Sequence, residues 1–449
     1  MTRVLLIYPY FRPRLDRSSF RFPPLGLGYL ASILRCCGYQ PQLLDCTFLS
    51  RKEAHQRARE AKADVVGIYS MVSMLQESLN FARIMRDHCD LLVAGGPLPS
   101  CAPDTFLDDF DLVVMGEGEK TVLEIVRAYE GGLAFNSIKG LKYRNKGAAL
   151  QTQRRELQID LDNIPFPARD LFPNQKYIDH WKKRFGYSTT TVITTRGCPF
   201  ACEFCSNAVF GITYRERSPN NVLDEVEQAL ALGYDRIHFA DDVFTLNRRR
   251  VMEICQEILA RGIEFEWECL GRVDSIDKAT SEAMKKAGCD RIFFGIESGD
   301  ESILRLMSKM VSLHQARRAV EAAKAAGLKT GAFFILCYPG ETDETVLRTI
   351  KFAASLPLDY LSFTIPYPLP GTRLFERIKG QIVGEWNAQS GPLSDHPVIF
   401  KSEFSKAKMR FAIFKGEIEF AFQRNSGSPI SLAKMPFEKV TDIIFKAIK

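Results

Sequence analysis

Short apolar runs alternate with amphipathic stretches along the chain, and this alternation limits its fold more than any other feature. In the first third, five runs rich in Val, Leu and Ile end at a glycine or a polar turn, in the segments RVLLIYP, QPQLLD, DVVGIYS, LLVAGG and DLVVMGEG. Segments with helical spacing, such as LGYLASILRCCG and LQESLNFARIMRDH, lie between them. Buried parallel strands have this composition, and helices connect such strands in βαβ units. The pattern predicts a doubly wound, Rossmann-like α/β domain whose ligands bind beyond the carboxyl ends of the strands.

A second series of strands and helices follows a polar connector that contains several X-Pro steps. Six further strands are predicted at TTTVITT, RIHFADD, FEWECLG, RIFFGIES, KTGAFFIL and YLSFTIPYP, with amphipathic helices between them. This order is typical of a partial (β/α)6 barrel with functional side chains at the strand ends. The sequence then becomes helical and basic. We expect a Rossmann-like domain over residues 1–145, a linker over 146–186, a partial barrel over 187–376 and a basic helical C-terminal region over 377–449.

The length and charge of the chain restrict its class. At 449 residues the chain is too long for a single hydrophobic core. The net charge of +6 at pH 7 is mild and gives little indication of nucleic-acid binding. No window approaches the ~20 apolar residues of a membrane span, and the first apolar run is too short for a signal peptide, so we expect a cytoplasmic protein. Its twelve cysteines are then more typical of metal ligands or free thiols than of disulfides.

Three of these cysteines lie within eight residues, in the segment TTRGCPFACEFCS, as Cys198, Cys202 and Cys205. A structural zinc site usually has four protein ligands, often in two C-x-x-C pairs, and the other cysteines form no second pair. Three thiolates on one loop can instead bind three irons of a [4Fe-4S] cluster and leave the fourth iron for a substrate or cofactor. The three cysteines are therefore the candidate metal ligands.

The pattern C-x-x-x-C-x-aromatic-C, with Phe204 as the aromatic residue, resembles the signature of the radical S-adenosylmethionine (SAM) superfamily. The resemblance implies that SAM binds the open iron through its amino and carboxylate groups and is cleaved to a 5′-deoxyadenosyl radical. It also implies contacts to SAM from the ends of the later strands. The candidate SAM-binding residues are Phe204, Asp241 and Asp242 (amino group), Arg272 (carboxylate), Glu297 and Ser298 (ribose), and Ile365 and Tyr367 (adenine).

Each of these polar residues has a simpler structural alternative. One residue of the aspartate pair, such as Asp242, could simply cap the following helix. Arg272 could pair with Asp274 or Asp277 at the surface, and Glu297 could be a plain surface residue.

The first domain resembles the cobalamin-binding domain that is fused to many radical SAM enzymes, in PPLGLGYLASILRCCGY, SMVSM, LLVAGGP and VVMGEGEKT. Its glycines would allow a flat corrin to approach the backbone closely. The better-known D-x-H-x-x-G motif is missing, because none of the six histidines has an aspartate two residues before it. The lower cobalt ligand could therefore be Tyr8, Tyr10 or a main-chain group. The missing motif also leaves open that the domain binds no corrin. The candidate cobalamin-binding residues are Tyr8, Tyr10, Leu25, Gly26, Ser70, Met71, Val72, Ser73, Gly95, Gly96, Gly116, Glu117 and Gly118.

Together the resemblances cover roughly residues 1–375 and imply a cobalamin-dependent radical SAM methyltransferase. Such an enzyme methylates an unactivated carbon by way of the 5′-deoxyadenosyl radical and methylcobalamin, and it needs an external electron donor such as flavodoxin or ferredoxin. A cobalamin-dependent cyclase or rearrangement enzyme would share these motifs. A methylthiotransferase would require three further N-terminal cysteines for a second cluster, which the scattered cysteines do not form. A non-catalytic iron–sulfur protein would keep its cluster spectrum unchanged when SAM is added.

The sequence does not identify the substrate, which could be a peptide, a protein or a small metabolite. Residues 401–449 contain ten Lys or Arg and five acidic residues. This basic region is typical of a solvated helical face, a lid over the barrel or a docking face, and we favour contact with the substrate.

Overall fold

The computed structural model describes residues 1–11, 21–383, 398–424 and 434–448. Its first domain is a seven-stranded sheet with helices on both faces. The strands are β1 Val4–Tyr8, β2 Gln42–Asp45, β3 Val65–Tyr69, β4 Leu91–Gly95, β5 Leu112–Val114, β6 Leu141–Asn145 and β7 Ala148–Gln151. The helices are α1 Leu25–Cys36, α2 Arg51–Glu60, α3 Leu75–Met85, α4 Pro97–Cys101 and α5 Glu119–Glu130. The Rossmann-like fold predicted for this part of the chain is confirmed.

The order of the strands places the ligand-binding edge of this sheet. The order is β2-β1-β3-β4-β5-β6-β7, in which the first five strands are parallel and the last two are antiparallel. The strand order therefore reverses between β1 and β3, and sheets of this kind bind ligands beyond the carboxyl ends of the strands at that point. The region 146–186 contains β7 and the helix α6, Asn174–Phe185, as well as extended chain.

The second domain is a six-stranded, all-parallel sheet with helices packed on its outer face. Its strands are β8 Thr189–Val192, β11 Arg236–Phe239, β12 Glu266–Gly271, β13 Cys289–Glu297, β14 Lys329–Ile335 and β15 Tyr360–Thr364, in the order β15-β14-β13-β12-β11-β8. Two short antiparallel strands, β9 Thr195–Arg196 and β10 Arg215–Glu216, follow β8. The helices are α7 Pro219–Ala231, α8 Arg248–Arg261, α9 Lys278–Lys286, α10 Glu301–Leu306, α11 Leu313–Ala325, α12 Asp343–Ser355 and α13 Arg373–Ile378. The predicted partial barrel is confirmed.

Side chains of alternate strand residues explain why the helices pack on one face of this sheet. Ile237 and Phe239 of β11, and Ile292 and Phe294 of β13, are fully buried in one hydrophobic core with the helices. The residues between them, such as His238, point to the other, concave face. This period of two is the one expected for a sheet that is covered by helices on one side.

The C-terminal helices α14, Lys406–Arg424, and α15, Lys434–Ala447, pack on the outside of the barrel. Helix α14 lies against α12 and the edge strand β15, and its Met409 and Ala412 belong to the barrel core. Lys415, fully buried, donates to the hydroxyl of Thr441 at 2.8 Å and pairs with Glu419. The helices therefore cover the edge of the sheet rather than the ends of its strands. In the residues that the structure describes, no helix has the length and apolar character needed to cross a bilayer.

Candidate functional site

The three clustered cysteines lie on one loop, residues 198–205, here called the cluster loop, which follows β8 and β9. Their thiols influence one another electrostatically. Burial, together with the charges of Cys202, Asp242 and Cys198, raises the pKa of Cys205 to about 12, although part of the residue reaches solvent. Burial also raises the pKa of Cys198, with smaller contributions from Asp242 and Cys202. Desolvation is thus the main influence on Cys198 and Cys205, and the neighbouring cysteines and Asp242 add to it.

The donor set of this loop fits an iron–sulfur cluster. Within the described parts of the chain, no three His, Cys, Asp or Glu side chains converge on a point where one metal ion could bind. A cluster does not require that convergence, because each thiolate binds a different iron. Three thiols on one loop would thus supply three corners, and the fourth iron would be left for another ligand.

Glu203 anchors the cluster loop to the barrel. Its backbone N–H donates to the carbonyl of Met307 at 2.9 Å, and its carbonyl accepts from the N–H of Leu374 at 2.9 Å. Its buried carboxylate accepts from the hydroxyl of Tyr338 at 2.7 Å and from Nε of Arg377 at 2.7 Å. The middle of the loop is therefore fixed between β14 and α13.

The two adjacent aspartates at the end of β11 have different environments. Asp241 is 1% exposed, and its carboxylate accepts from the N–H groups of Thr194 and Thr195 at 2.6 and 3.0 Å and from the Thr194 hydroxyl. It thus braces the chain that enters the cluster loop. Desolvation of its carboxylate, and then the charge of Asp241, raise the pKa of Asp242. Asp242 also influences the thiols of the cluster loop, so it is the member of the pair that faces them.

The guanidinium group of Arg272 makes most of its hydrogen bonds to other groups of the protein. Its Nε and Nη2 donate to the carboxylate of Asp274, both at 2.9 Å, and Nη2 donates to the carbonyl of Lys309 at 3.2 Å. The guanidinium carbon lies 3.5 Å from the ring centre of Phe200, on the cluster loop. The pairing with Asp274 is the simpler alternative that the sequence left open. Arg272, 3% exposed, supports the loop by stacking on it.

Glu297 and Lys309 form a buried ion pair beside the cluster loop. Lys309 Nζ lies 3.0 Å from Glu297 Oε1, and their side chains are 9% and 11% exposed. Glu297 has φ 75°, a left-handed conformation that is strained for a non-glycine residue. The charge of Lys309 lowers the pKa of Cys205, against the effect of burial, so this ammonium lies near the thiols. The ion pair is therefore part of the surroundings of the cluster loop.

The remaining predicted SAM residues are distributed around the same end of the barrel. Ser298 is fully buried, and its hydroxyl lies 3.0 Å from that of Thr349. Phe204 packs against a hydrophobic cluster between the loop and the barrel. Ile365 is half-buried after β15, and burial raises the pKa of the half-buried Tyr367 to about 12.

A cavity of about 300 Å³ lies between the first domain and the segments that precede and follow the cluster loop. Six of the predicted cobalamin residues line it: Gly26, Gly95, Gly96, Gly116, Glu117 and Gly118. From the barrel side the lining includes Ile193, Arg196, Val209 and Phe210, which flank the cluster loop in sequence. The two predicted cofactor regions therefore adjoin each other.

The glycines of this cavity are of two kinds. A Cβ atom added at Gly26 or at Gly95 would meet no atom within 4 Å, so the space above their backbone is open. Gly96 has φ 117°, and an added Cβ would lie 2.7 Å from the carbonyl oxygen of Ser70. Gly96 is thus required by the backbone, whereas Gly26 and Gly95 leave room for a flat ligand. The open space above Gly26 and Gly95 fits a flat ligand such as a corrin. Ser70 Oγ is buried without a hydrogen-bond partner, but Ser70 does not line this cavity.

The tyrosines at the switch point of the sheet form one aromatic group. The ring of Tyr8 lies 5.3 Å from that of Tyr69 and 5.9 Å from that of Tyr10, between centres. Burial raises the pKa of Tyr8 well above its ordinary value and that of Tyr69 to about 12. Both shifts come mainly from desolvation of the phenols. Tyr69 lines the cavity.

Four other predicted cobalamin residues lie around this region. Leu25 is buried in a hydrophobic cluster with Tyr29. Met71, Val72 and Ser73 are half-buried where β3 leads into α3. None of the four belongs to the described lining of the cavity.

Glu117 uses its carboxylate for a contact between the domains. It accepts from Arg196 Nη1 at 2.9 Å and from Arg215 Nη1 at 2.9 and 3.0 Å. All three side chains are no more than 6% exposed. The sequence showed neither this network nor the role of Glu203, because their partners lie far away in the chain. It also gave no sign of the role of Lys309, whose partner Glu297 lies twelve residues earlier. Only the arginine of TTRGC adjoins a recognisable motif.

Two family models match the chain. The radical SAM superfamily model matches residues 192–353, and the B12 binding domain model matches residues 12–126. Fold and site thus define an enzyme that combines a B12-binding domain with a radical SAM barrel. Its cofactors are a [4Fe-4S] cluster, S-adenosylmethionine and cobalamin.

The chain is similar throughout its length to an uncharacterized methyltransferase of Pyrococcus horikoshii, with 34% identity over 100% of this chain and 97% of the relative. It therefore belongs to the radical SAM superfamily, among the members with a B12-binding domain. It is also 27% identical to the anaerobic magnesium-protoporphyrin IX monomethyl ester cyclase of Cereibacter sphaeroides, over 85% of this chain and 64% of that protein. The solved structure of the radical SAM methyltransferase TsrM from Kitasatospora setae, with cobalamin and a [4Fe-4S] cluster bound, has the same fold, with TM-score 0.73, 20% identity and coverage of 90% and 79%.

Proposed function

We propose that the protein is a cobalamin-dependent radical SAM C-methyltransferase. The observation that carries the proposal is the position of the cavity of about 300 Å³, whose lining joins the glycines of the first domain to residues on both sides of the cluster loop. In this arrangement a corrin and a cluster would face one region of space. Methyl transfer to a carbon radical requires both cofactors to reach one substrate atom.

The cofactors would supply the difficult chemistry, namely a radical that removes hydrogen from the substrate and a methyl group on cobalt. The residues of this chain would bind, orient and shield them. Cys198, Cys202 and Cys205 would hold the cluster. Asp242 would accept the amino group of SAM. Lys309 is a second candidate beside Arg272 for its carboxylate, and each cation would share its charge with a protein carboxylate, Lys309 with Glu297 and Arg272 with Asp274.

Contacts from Glu297, Ser298, Ile365 and Tyr367 would complete the SAM site, and Gly26 and Gly95 would lie against the corrin. In this proposal the first sheet would supply the corrin cavity and the barrel would supply the cluster ligands. Helix α14 packs outside the barrel, so we place the substrate between the domains rather than under a C-terminal lid.

The experiment is anaerobic reconstitution with iron, sulfide and cobalamin, followed by reduction and addition of SAM without a substrate. A methyltransferase forms S-adenosylhomocysteine when cobalamin is present and stops forming it when cobalamin is omitted. A cyclase or rearrangement enzyme of the same family forms 5′-deoxyadenosine alone. Cys198→Ala should abolish 5′-deoxyadenosine, while Cys36→Ala, which removes an exposed thiol of α1, should not.

A further inference from the structure

The two arginines that pair with Glu117 lie opposite each other on two adjacent strands. Arg196 of β9 and Arg215 of β10 are paired residues in the antiparallel register. Directly opposed side chains of such a pair lie on the same face, and both of these reach the single carboxylate of Glu117. Arg196 also donates to Glu119 at 2.6 Å, so two arginines of the barrel meet two glutamates of the first domain.

This contact is buried and its charges balance. Removal of one partner would leave a buried charge without a counter-charge. The stability of the contact therefore depends on the positions of all four side chains. The guanidinium carbon of Arg196 lies 5.3 Å from the ring centre of Tyr29 and 5.2 Å from that of Phe210. One ring belongs to the first domain and the other to the barrel, so the arginine is held from both sides.

Open spaces border this contact. Cavities of about 300, 390 and 70 Å³ all have Glu117 in their lining. Interfaces that are closely packed resist displacement through packing itself. Here cavities border the charged contact, so the ion pairs supplement the hydrophobic packing of Tyr29 with Ile164 and Ile193 in holding the two domains at this place.

Each end of the contact is close in sequence to a cofactor region. Glu117 lies between Gly116 and Gly118, which line the corrin cavity. Arg196 is separated from Cys198 by Gly197 alone. Gly197 has φ 85°, and an added Cβ would lie 2.5 Å from the carbonyl oxygen of Thr213, so this link is tightly constrained. A displacement of Arg196 would thus be passed to the cluster loop.

We propose that Glu117, Arg196 and Arg215 form an interdomain clamp that fixes the distance between the corrin cavity and the cluster loop. They are positioning residues, because they act through Gly116, Gly118 and Cys198 and need not touch the reacting atoms. Only the expected effect of the clamp on methyl transfer rests on the proposed function. The distance between the corrin and the cluster can be measured in the holoenzyme whatever reaction it catalyses.

The test is the distance between cobalt and cluster in the reconstituted holoenzyme, measured by pulsed EPR with cob(II)alamin and the reduced cluster as the two spin centres. The variants are Glu117→Gln, which removes the central charge, and Arg215→Lys, which keeps the charge but loses the fork. Arg83→Gln is the control, since its exposed ion pair with Asp109 lies within the first domain.

The clamp predicts a single narrow distance in the wild type and in Arg83→Gln, and a broadened or displaced one in both clamp variants. Formation of S-adenosylhomocysteine relative to 5′-deoxyadenosine should fall by roughly 10- to 100-fold in these variants. Equal distance distributions in all proteins would overturn the clamp, and if Glu117→Gln does not fold, Arg215→Lys alone decides. A wild type that forms no S-adenosylhomocysteine but shows broadening in the variants would reject the proposed function and keep the clamp.

Discussion

Lys309 Nζ lies 3.0 Å from Glu297 Oε1, and this buried pair stands beside the cluster loop. Lys309 is carried by a short connection between α10 and α11 in which its neighbours Ser308 and Met310 have φ 53° and 55°. It is unusual for both neighbours of a residue to be non-glycine residues in the left-handed region. Such strain occurs where the surrounding structure holds a side chain in place. The connection therefore presents the ammonium to the end of the barrel.

Replacement of Lys309 should weaken the binding of SAM. We expect Lys309→Met to raise the dissociation constant about 10- to 100-fold, because a charge-assisted hydrogen bond to a carboxylate is lost. Lys309→Arg should retain most of the affinity. The measurement is a SAM titration followed through the EPR spectrum of the reduced cluster. Lys324→Met, which removes an exposed ion pair with Asp359, is the control; equal affinities of the Lys309→Met variant and this control would contradict the assignment.

The two aspartates after β11 should separate into a structural and a ligand-binding residue. Asp241→Ala leaves three donors of Thr194 and Thr195 without an acceptor, so unfolding should become easier by about 3 kcal/mol and the cluster should be retained poorly. Asp242→Asn should keep the cluster and the thermal midpoint while SAM affinity falls about tenfold or more. The measurements are the iron content, the thermal midpoint and the SAM affinity of both variants. If Asp242→Asn loses the cluster and Asp241→Ala loses only SAM affinity, the two aspartates have the opposite roles.

Filling the open space above Gly95 should exclude cobalamin without unfolding the protein. Because a Cβ at this position meets no atom within 4 Å, Gly95→Leu should fold normally and occupy the cavity. We expect bound cobalt to fall at least about tenfold after reconstitution and gel filtration, while the thermal midpoint of the apoprotein stays close to that of the wild type. Gly380→Leu, at an equally open position outside this cavity, should bind cobalamin like the wild type. Full cobalt content in the Gly95→Leu variant would place the corrin elsewhere.

Glu341 should make the stability of the fold dependent on pH. Burial raises its pKa from 4.5 to about 7, although it accepts a hydrogen bond from the N–H of Tyr338 at 2.8 Å. The folded protein thus holds this proton more tightly than the unfolded chain. The resulting stability is fully present below pH ~4.5 and is lost as the pH rises through about 7, up to about 3 kcal/mol in total.

The check is the thermal midpoint of the wild type and of Glu341→Gln between pH 5 and 8. The midpoint of the wild type should decline relative to that of the variant over this range. Glu344→Gln, which changes an exposed glutamate in the first turn of α12, should follow the wild type. Parallel curves for the wild type and Glu341→Gln would mean that Glu341 is ionised throughout.

The sequence predicted the fold because each strand carries its own local signal. β3 and β4 are short apolar runs that end in a polar or glycine-rich turn, and their burial on both faces follows directly from that composition. The cluster loop was predictable for the same reason, since its three thiols lie within eight residues.

The contacts that give this loop its environment lack such a signal. Lys309 is one lysine among many, and only the left-handed backbone on each side of it turns it inward. Glu117 was predicted beside the corrin from its glycine neighbours, but its carboxylate pairs with arginines that lie 79 and 98 residues further along the chain. Arg272 was predicted for the SAM carboxylate, and its nearest acceptor is Asp274, two residues away. The pairing of Glu117 depends on tertiary structure, which local patterns do not encode, whereas the pairing of Arg272 with Asp274 is local and was one of the alternatives that the sequence left open.

The most direct test of the whole account follows the methyl group of SAM. Anaerobically reconstituted protein with cobalamin and a reductant is supplied with SAM that carries a deuterated methyl group, and the protein-bound corrin is analysed by mass spectrometry. The account predicts a deuterated methyl group on the corrin and an equal amount of S-adenosylhomocysteine. A corrin without label, in protein that contains both the cluster and cobalt and cleaves SAM to 5′-deoxyadenosine, would contradict it.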